Sequence, residues 1–119
     1  MAVEFVVMFP ILLALMLGMV EFGRFYNASI TVTHASREAV RVVALCSTGS
    51  CNGAAHTAAN TAASPLSLQG GSPETDCPLS GVGNASFTAT ASFTWDPLLS
   101  FVPGLPASIS RSAVMRCGG

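Results

Sequence analysis

Charge is what this sequence has least of. Only 9% of its 119 residues are charged, and five cations against six anions leave a formal net charge of −1. An ordinary soluble domain carries roughly 25% charged residues. A hydrophobic core does not require so few. A membrane phase, or burial against copies of the same chain, accounts for the deficit. No basic run occurs, and nucleic-acid binding needs clustered Lys and Arg, so no nucleic-acid partner is expected.

Recognisable catalytic chemistry is absent as well. Serines are many, but neither His34 nor His56 stands in a motif with an acid partner. The glycine pairs at 70–71 and 118–119 lack the strand–loop–helix setting of a phosphate cradle. There is no CxxCH haem signature. The Cys46–Cys51 spacing is looser than a zinc knuckle, no second close pair follows, and the two histidines fit no ligand cluster. No enzyme, cofactor or metal is expected. Asn27-Ala28-Ser29 and Asn84-Ala85-Ser86 match the glycosylation pattern and are assigned no role.

What is present begins with Cys46, Cys51, Cys77 and Cys117. An even number in a short chain suits a disulfide framework in an oxidising compartment, the alternative being four free buried thiols. From Phe5 to Val20 the chain reads FVVMFPILLALMLGMV, without a charge or a strongly polar side chain. As a helix it spans about 24 Å. A bilayer core is about 30 Å thick and usually needs about 20 residues, so the stretch is slightly short. Glu4 and Glu21 close its ends, and Phe25 and Tyr26 stand where an interfacial aromatic belt would be. A secretory signal peptide would carry Lys or Arg in front and a small-residue cleavage site behind, and neither is here. A soluble core helix would show a polar stripe, also missing. The segment reads as buried in a membrane or in a filament core.

Glu4 is the informative residue, because a carboxylate beside such a helix is costly unless paired. Its partner is either an α-amino group, its own at Met1 or a neighbour's, or else it faces lipid headgroups. It also suits the positive end of the helix dipole. Pro10 removes a backbone donor, which predicts a kink or loosening near Phe5–Pro10. Gly18 leaves room for a neighbouring helix.

The run AVEFVVMFPILLALMLGMVEFGRFY resembles the TadE/TadG-like pseudopilins of the Tad (tight adherence) pilus, a branch of the type IV pilins. The similarity continues through HASREAVRVVAL, the Ala-rich stretch after Cys51 and a Thr/Ser-alternating strand, to WDPLLSFVPGLPASISRSAVMRC. It implies a short basic leader removed by a prepilin peptidase, with the present chain as the mature form. It also implies that Glu4 offsets the N-terminal amine of an adjacent subunit during assembly.

Beyond Val20 the helix is expected to continue to about Leu45. Glu21 and Arg24 stand at i,i+3, as do Glu38 and Arg41. Each is either a solvated or interfacial pair, or a contact with a neighbouring subunit. Phe22, Phe25, Tyr26 and Ile30 recur at near-helical spacing and face either the head, as a core stripe, or a neighbouring copy; Thr33 to Arg37 interrupts this stripe and Val40 and Val43 resume it. CSTGSCNG stops the helix, and a short second helix starts at Asn52 or Gly53 and ends before Pro65. Residues 64–84 read as loop. Ala85–Trp95 alternates strictly, Phe87, Ala89, Ala91, Phe93 and Trp95 on one face and Ser or Thr on the other. Ala107–Cys117 reads as its antiparallel partner, with Arg111 marking a bulge. The connector DPLLSFVPGLP is apolar for a loop. Its Leu98, Leu99, Phe101, Val102 and Leu105 either fold onto the head or touch another subunit. If the two strands pair, Cys117 lies beside the segment holding Cys77, which predicts the bridge Cys77–Cys117 and leaves Cys46–Cys51.

The expected fold is α+β: a long hydrophobic N-terminal helix, a short second helix and a small antiparallel hairpin or sheet with disulfides. Residues 1–45 form the helix, 1–21 being its membrane or filament-core part, and 46–119 form an extracytoplasmic head. The expected function is a structural subunit of a Tad-type pilus serving adhesion, with Met1, Glu4, Pro10, Glu21 and Arg24 as assembly residues. Its expected partners are copies of itself, the inner membrane, the prepilin peptidase and the assembly machinery, and its final place is the extracellular pilus. The alternatives are a single-pass anchored protein that never polymerises and a minor pseudopilin that primes or caps a pilus.

Overall fold

A computed structural model of the chain describes residues 1–46, 51–78, 81–95 and 103–118. Ala2–Leu45 is one α-helix, α1. In its polar middle the hydroxyls are satisfied by folding back onto the helix itself. Thr31 Oγ1 donates to the Asn27 carbonyl at 3.0 Å, Thr33 Oγ1 to Ser29 at 2.9 Å and Ser36 Oγ to Thr33 at 2.8 Å. Pro10 lies inside, and the helix runs through it unbroken; the loosening expected there does not interrupt it. At the end Cys46 turns extended while its N–H donates to the Val43 carbonyl at 3.2 Å.

A second helix, α2 (Asn52–Ala63), carries Ala55, Ala59 and Ala63 at i,i+4,i+8, all fully buried. Side chains this small let α2 lie close along α1. Three strands follow: β1 (Leu68–Thr75), β2 (Asn84–Ser92) and β3 (Ser108–Arg116), antiparallel in the order β1-β2-β3. Strand β1 overturns the expectation of a loop over residues 64–84. Gly70, Gly71 and Pro73 read as breakers, but Pro is tolerated on an edge strand, and β1 is an edge. Gly71 is required by close approach: a Cβ there would stand 2.7 Å from Cζ of Phe87. The pairing with β2 shifts register between Leu68 and Gly70 and again between Pro73 and Thr75.

The alternation of β2 is realised as expected, with Ala85, Phe87, Ala89 and Ala91 buried against the helices. The regular strand ends at Ser92, short of Trp95, although the Phe93 N–H still donates to the Ala107 carbonyl at 2.9 Å. Pairing of β2 with β3 is continuous from Asn84↔Arg116 to Ser92↔Ser108, so there is no bulge at Arg111. That residue sits opposite buried Ala89, and its long side chain carries the charge out sideways. Nη2 donates to Ser29 Oγ at 2.7 Å and Nη1 to the Ser110 carbonyl at 2.9 Å.

The face of α1 that meets the head is not the aromatic one. Phe22 and Tyr26 are 67% and 61% exposed, and Ile30 is exposed too. The buried stripe is Ala28, Val32, Ala35, Ser36, Ala39, Val40, Val43 and Ala44. It passes straight through the segment Thr33–Arg37 that reads as an interruption. Of the expected aromatic stripe, Phe25 alone packs on the core. Small residues win because α2 and the sheet pack closely on α1, and alanine admits that approach.

Lengths match along this contact. Nineteen helical steps from Phe25 to Ala44 rise about 28 Å, and eight steps of extended chain from Ala85 to Phe93 about 27 Å. Disulfides join Cys46 to Cys51 and Cys77 to Cys117, with Cα separations of 6.2 and 5.6 Å, as the hairpin reading requires. Gly118 N–H donates to the Ala44 carbonyl at 3.2 Å, so both bridges lie at the head's far end from the apolar segment. Of the apolar connector, Leu98, Leu99, Phe101 and Val102 fall outside the described residues, while Leu105 is half-buried. The turn residues 47–50 also lie outside them.

Candidate assembly surface

The first buried residue of α1 is Glu21. Everything before it projects beyond the head, and no residue of the apolar window is buried by the rest of the chain. The molecule measures 75 Å in its long direction and about 20 Å across, with extents of 22 and 19 Å. One side of the bare segment forms a shallow, wholly apolar groove lined by Phe5, Met8, Phe9, Leu12, Leu13 and Met16. The Phe5 and Phe9 rings stack at 6.1 Å. A Cβ at Gly18 or Gly23 would meet nothing within 4 Å, so the surface there is open to a neighbouring helix.

Four of the five sequence-derived assembly residues fall into two groups. Glu4 lies in the first turn, exposed, beside the N-terminal end at Met1. Its carboxylate makes no ion pair among the described residues. Pro10 lies between the groups on the bare helix. Glu21 and Arg24 meet as an ion pair, which is the one such pair among the described residues. Glu21 is 4% exposed, tucked under the head, while its partner's side chain is 53% exposed. Glu38 and Arg41 are both exposed and do not pair. From Glu4 to Arg24 the helix rises about 30 Å, so the two cannot meet within one chain.

Sequence reasoning missed the aromatic knot that closes the head beside this pair. Phe25 stacks on Trp95 at 5.3 Å and meets Phe93 edge-on at 5.4 Å; Phe93 and Trp95 stand at 4.9 Å. Trp95 Nε1 donates to the Pro106 carbonyl at 2.8 Å, and the Arg24 guanidinium stands 5.8 Å from the Phe93 ring centre. The alternation of β2 already put Phe93 and Trp95 on one face, but nothing local said that Phe25 would meet them.

Residues 1–41 match the family model described as TadE-like protein. No curated protein matches the chain, and no solved structure does. The match covers the bare helix and most of the part on which the head is built. Together with that helix it fits a membrane-anchored protein of the Tad pilus context, similar over residues 1–41 to TadE-like proteins and carrying on the same helix a small disulfide-bonded α+β head.

Proposed function

We propose that this chain is a structural subunit of a Tad-type, type IV-like pilus. The observation that carries this reading is the fully uncovered apolar segment ahead of Glu21. Such a surface is unfavourable in water and needs a lipid or protein environment. In the inner membrane it is covered by acyl chains. In a filament it is covered by the same segment of other copies, the groove from Phe5 to Met16 taking a neighbouring ridge. The exchange of lipid for protein leaves little apolar area exposed to water, so extraction by the assembly machinery is feasible. Glu4 then enters an apolar bundle and needs a cation there. The proposed partner is a cationic group at the N-terminal end of a neighbouring copy, such as an α-amino group freed by a prepilin peptidase. Pro10 leaves a carbonyl free one turn away, which gives the bundle local play. The heads face outward in the extracellular filament and serve attachment.

Electron microscopy of sheared surface filaments, with mass spectrometry of their subunits, tests the reading. Filaments built of this chain support it, and Glu4→Leu is expected to lower their yield by roughly tenfold or more, as expected for loss of a buried pair. Recovery in the membrane fraction alone, with Glu4→Leu changing nothing, would leave a single-pass anchor instead.

A further inference from the structure

At the end of the head nearest the apolar segment, α2 ends at Ala63, β1 begins at Leu68, β2 ends at Ser92 and β3 begins at Ser108. Between these ends and α1 lies a cleft lined by Arg24, Asn27, Leu66, Ser92, Phe93 and Thr94. Its four polar members are solvent-exposed and carry N–H or O–H donors. Leu66 and Phe93 supply the apolar wall. Arg24 spends Nη1 on Glu21 and lies by the Phe93 ring, two contacts that steady an exposed guanidinium at the edge of the cleft.

We propose that this cleft binds the phosphate of a membrane phospholipid. Depth is the first argument. Arg24 stands four residues beyond Val20, about 6 Å along the helix. The headgroup layers add about 5–8 Å on each side of the hydrocarbon core, so Arg24 falls among the phosphates when Phe5–Val20 occupies that core. The other four cations do not reach that depth. Arg37 stands about 26 Å above Val20, Arg41 and the far-end Arg116 lie higher, and Arg111 is held at Ser29, about 13 Å above it.

The surface beneath is the second argument. From Arg24 the same helix face descends through Val20, Leu17 and Leu13, at i−4, i−7 and i−11, all exposed. A lipid whose phosphate sits in the cleft lays its acyl chains along that face. The third argument is the pair of aromatic groups at the same level. Exposed Tyr26 and the knot of Phe25 and Trp95 place amphipathic rings where membrane proteins carry them. Guanidinium, amide and two hydroxyls around one opening suit a phosphodiester, whose oxygens accept and do not donate. A phosphate held there seats the base of the head on the membrane surface before assembly.

The inference rests on the membrane reading of the apolar segment. The chain has a single tryptophan, and Trp95, against Phe93 of the cleft wall, reports the depth of this level. The full chain is reconstituted in vesicles of phosphatidylethanolamine and phosphatidylglycerol, and Trp95 emission is read with nitroxide on the headgroup or at the acyl-chain end. Phospholipid retained after detergent extraction is weighed by native mass spectrometry. Stronger quenching from the headgroup label is expected, and Arg24→Gln is expected to lower retained phospholipid about tenfold, the size of a lost charge-assisted hydrogen bond. Arg116→Gln, at the far end of the head, should retain as much as the unaltered chain. Equal retention by Arg24→Gln, or a Trp95 that neither label quenches in vesicle-bound protein, overturns the site and leaves the membrane reading standing. Displacement of the lipid by millimolar inorganic phosphate would show a site for free phosphate and overturn the lipid assignment. Failure of the chain to float with vesicles overturns the membrane reading itself.

Discussion

Among the described residues Phe87 is the largest side chain wholly removed from solvent, and it decides what its neighbours can be. His56 meets its ring edge-on at 5.8 Å from α2. Gly71 lies under the same ring from β1, where a Cβ would approach Cζ to 2.7 Å and Cε1 to 2.9 Å. The ring cannot swing away, being fully buried and held from two sides. Gly71→Ala is therefore expected to destabilise the head by about 1–3 kcal/mol, the usual cost of overpacking. Denaturant unfolding of the full chain in detergent, followed by circular dichroism, checks this. Gly70→Ala is the control, because a Cβ there meets nothing within 4 Å. An equal loss in both variants would point to strand propensity in place of the Phe87 contact.

The elements of the head share a core in which alanine prevails, from Ala28 on α1 through Ala55 and Ala59 on α2 to Ala85, Ala89 and Ala91 on β2. Alanine permits close packing of helix on sheet but removes little apolar area per residue, and small domains are marginal on burial alone. The disulfides offset this unequally. Cys46–Cys51 closes a separation of 5 residues and Cys77–Cys117 one of 40. Loop-closure entropy assigns them about 2 and about 4 kcal/mol respectively. Replacing Cys77 and Cys117 together by serine is expected to cost about twice what the same change at Cys46 and Cys51 costs, read as unfolding midpoints in detergent. Equal losses would mean that chain entropy is not what the longer bridge supplies.

Across the whole molecule one helix serves two environments. Its first part contributes nothing to the core, and its second part, from Glu21 on, carries the core's longest wall. Chain lacking residues 2–20 is therefore expected to keep the circular dichroism of the head and its thermal midpoint while no longer needing detergent. Cooperative melting lost on that deletion would show that the bare segment supports the head. The two ends of the head are closed by different means, disulfides at the far end and the Phe25–Phe93–Trp95 knot beside the apolar segment. The covalent end needs an oxidising compartment, while the aromatic end suits the boundary between lipid and water.

What could be read from the chain alone were features written in local periodicity. The uninterrupted apolar stretch Phe5–Val20, the helix continuing to Leu45, the short Ala-rich helix and the alternating face of β2 each follow from a few neighbouring residues. The bridge Cys77–Cys117 follows from pairing two such segments. Tertiary structure alone decided the rest. Gly70, Gly71 and Pro73 form a strand because an edge position spares the proline and the Phe87 ring needs the glycine's empty side. Ala28, Ala35 and Ala39, not Phe22 and Tyr26, are buried under the head, because close approach selects small side chains over large ones. Arg111 sits in an unbroken ladder, its guanidinium donating a hydrogen bond to Ser29, far away in sequence. In each case the controlling term is a contact between residues distant along the chain, which local propensity does not contain.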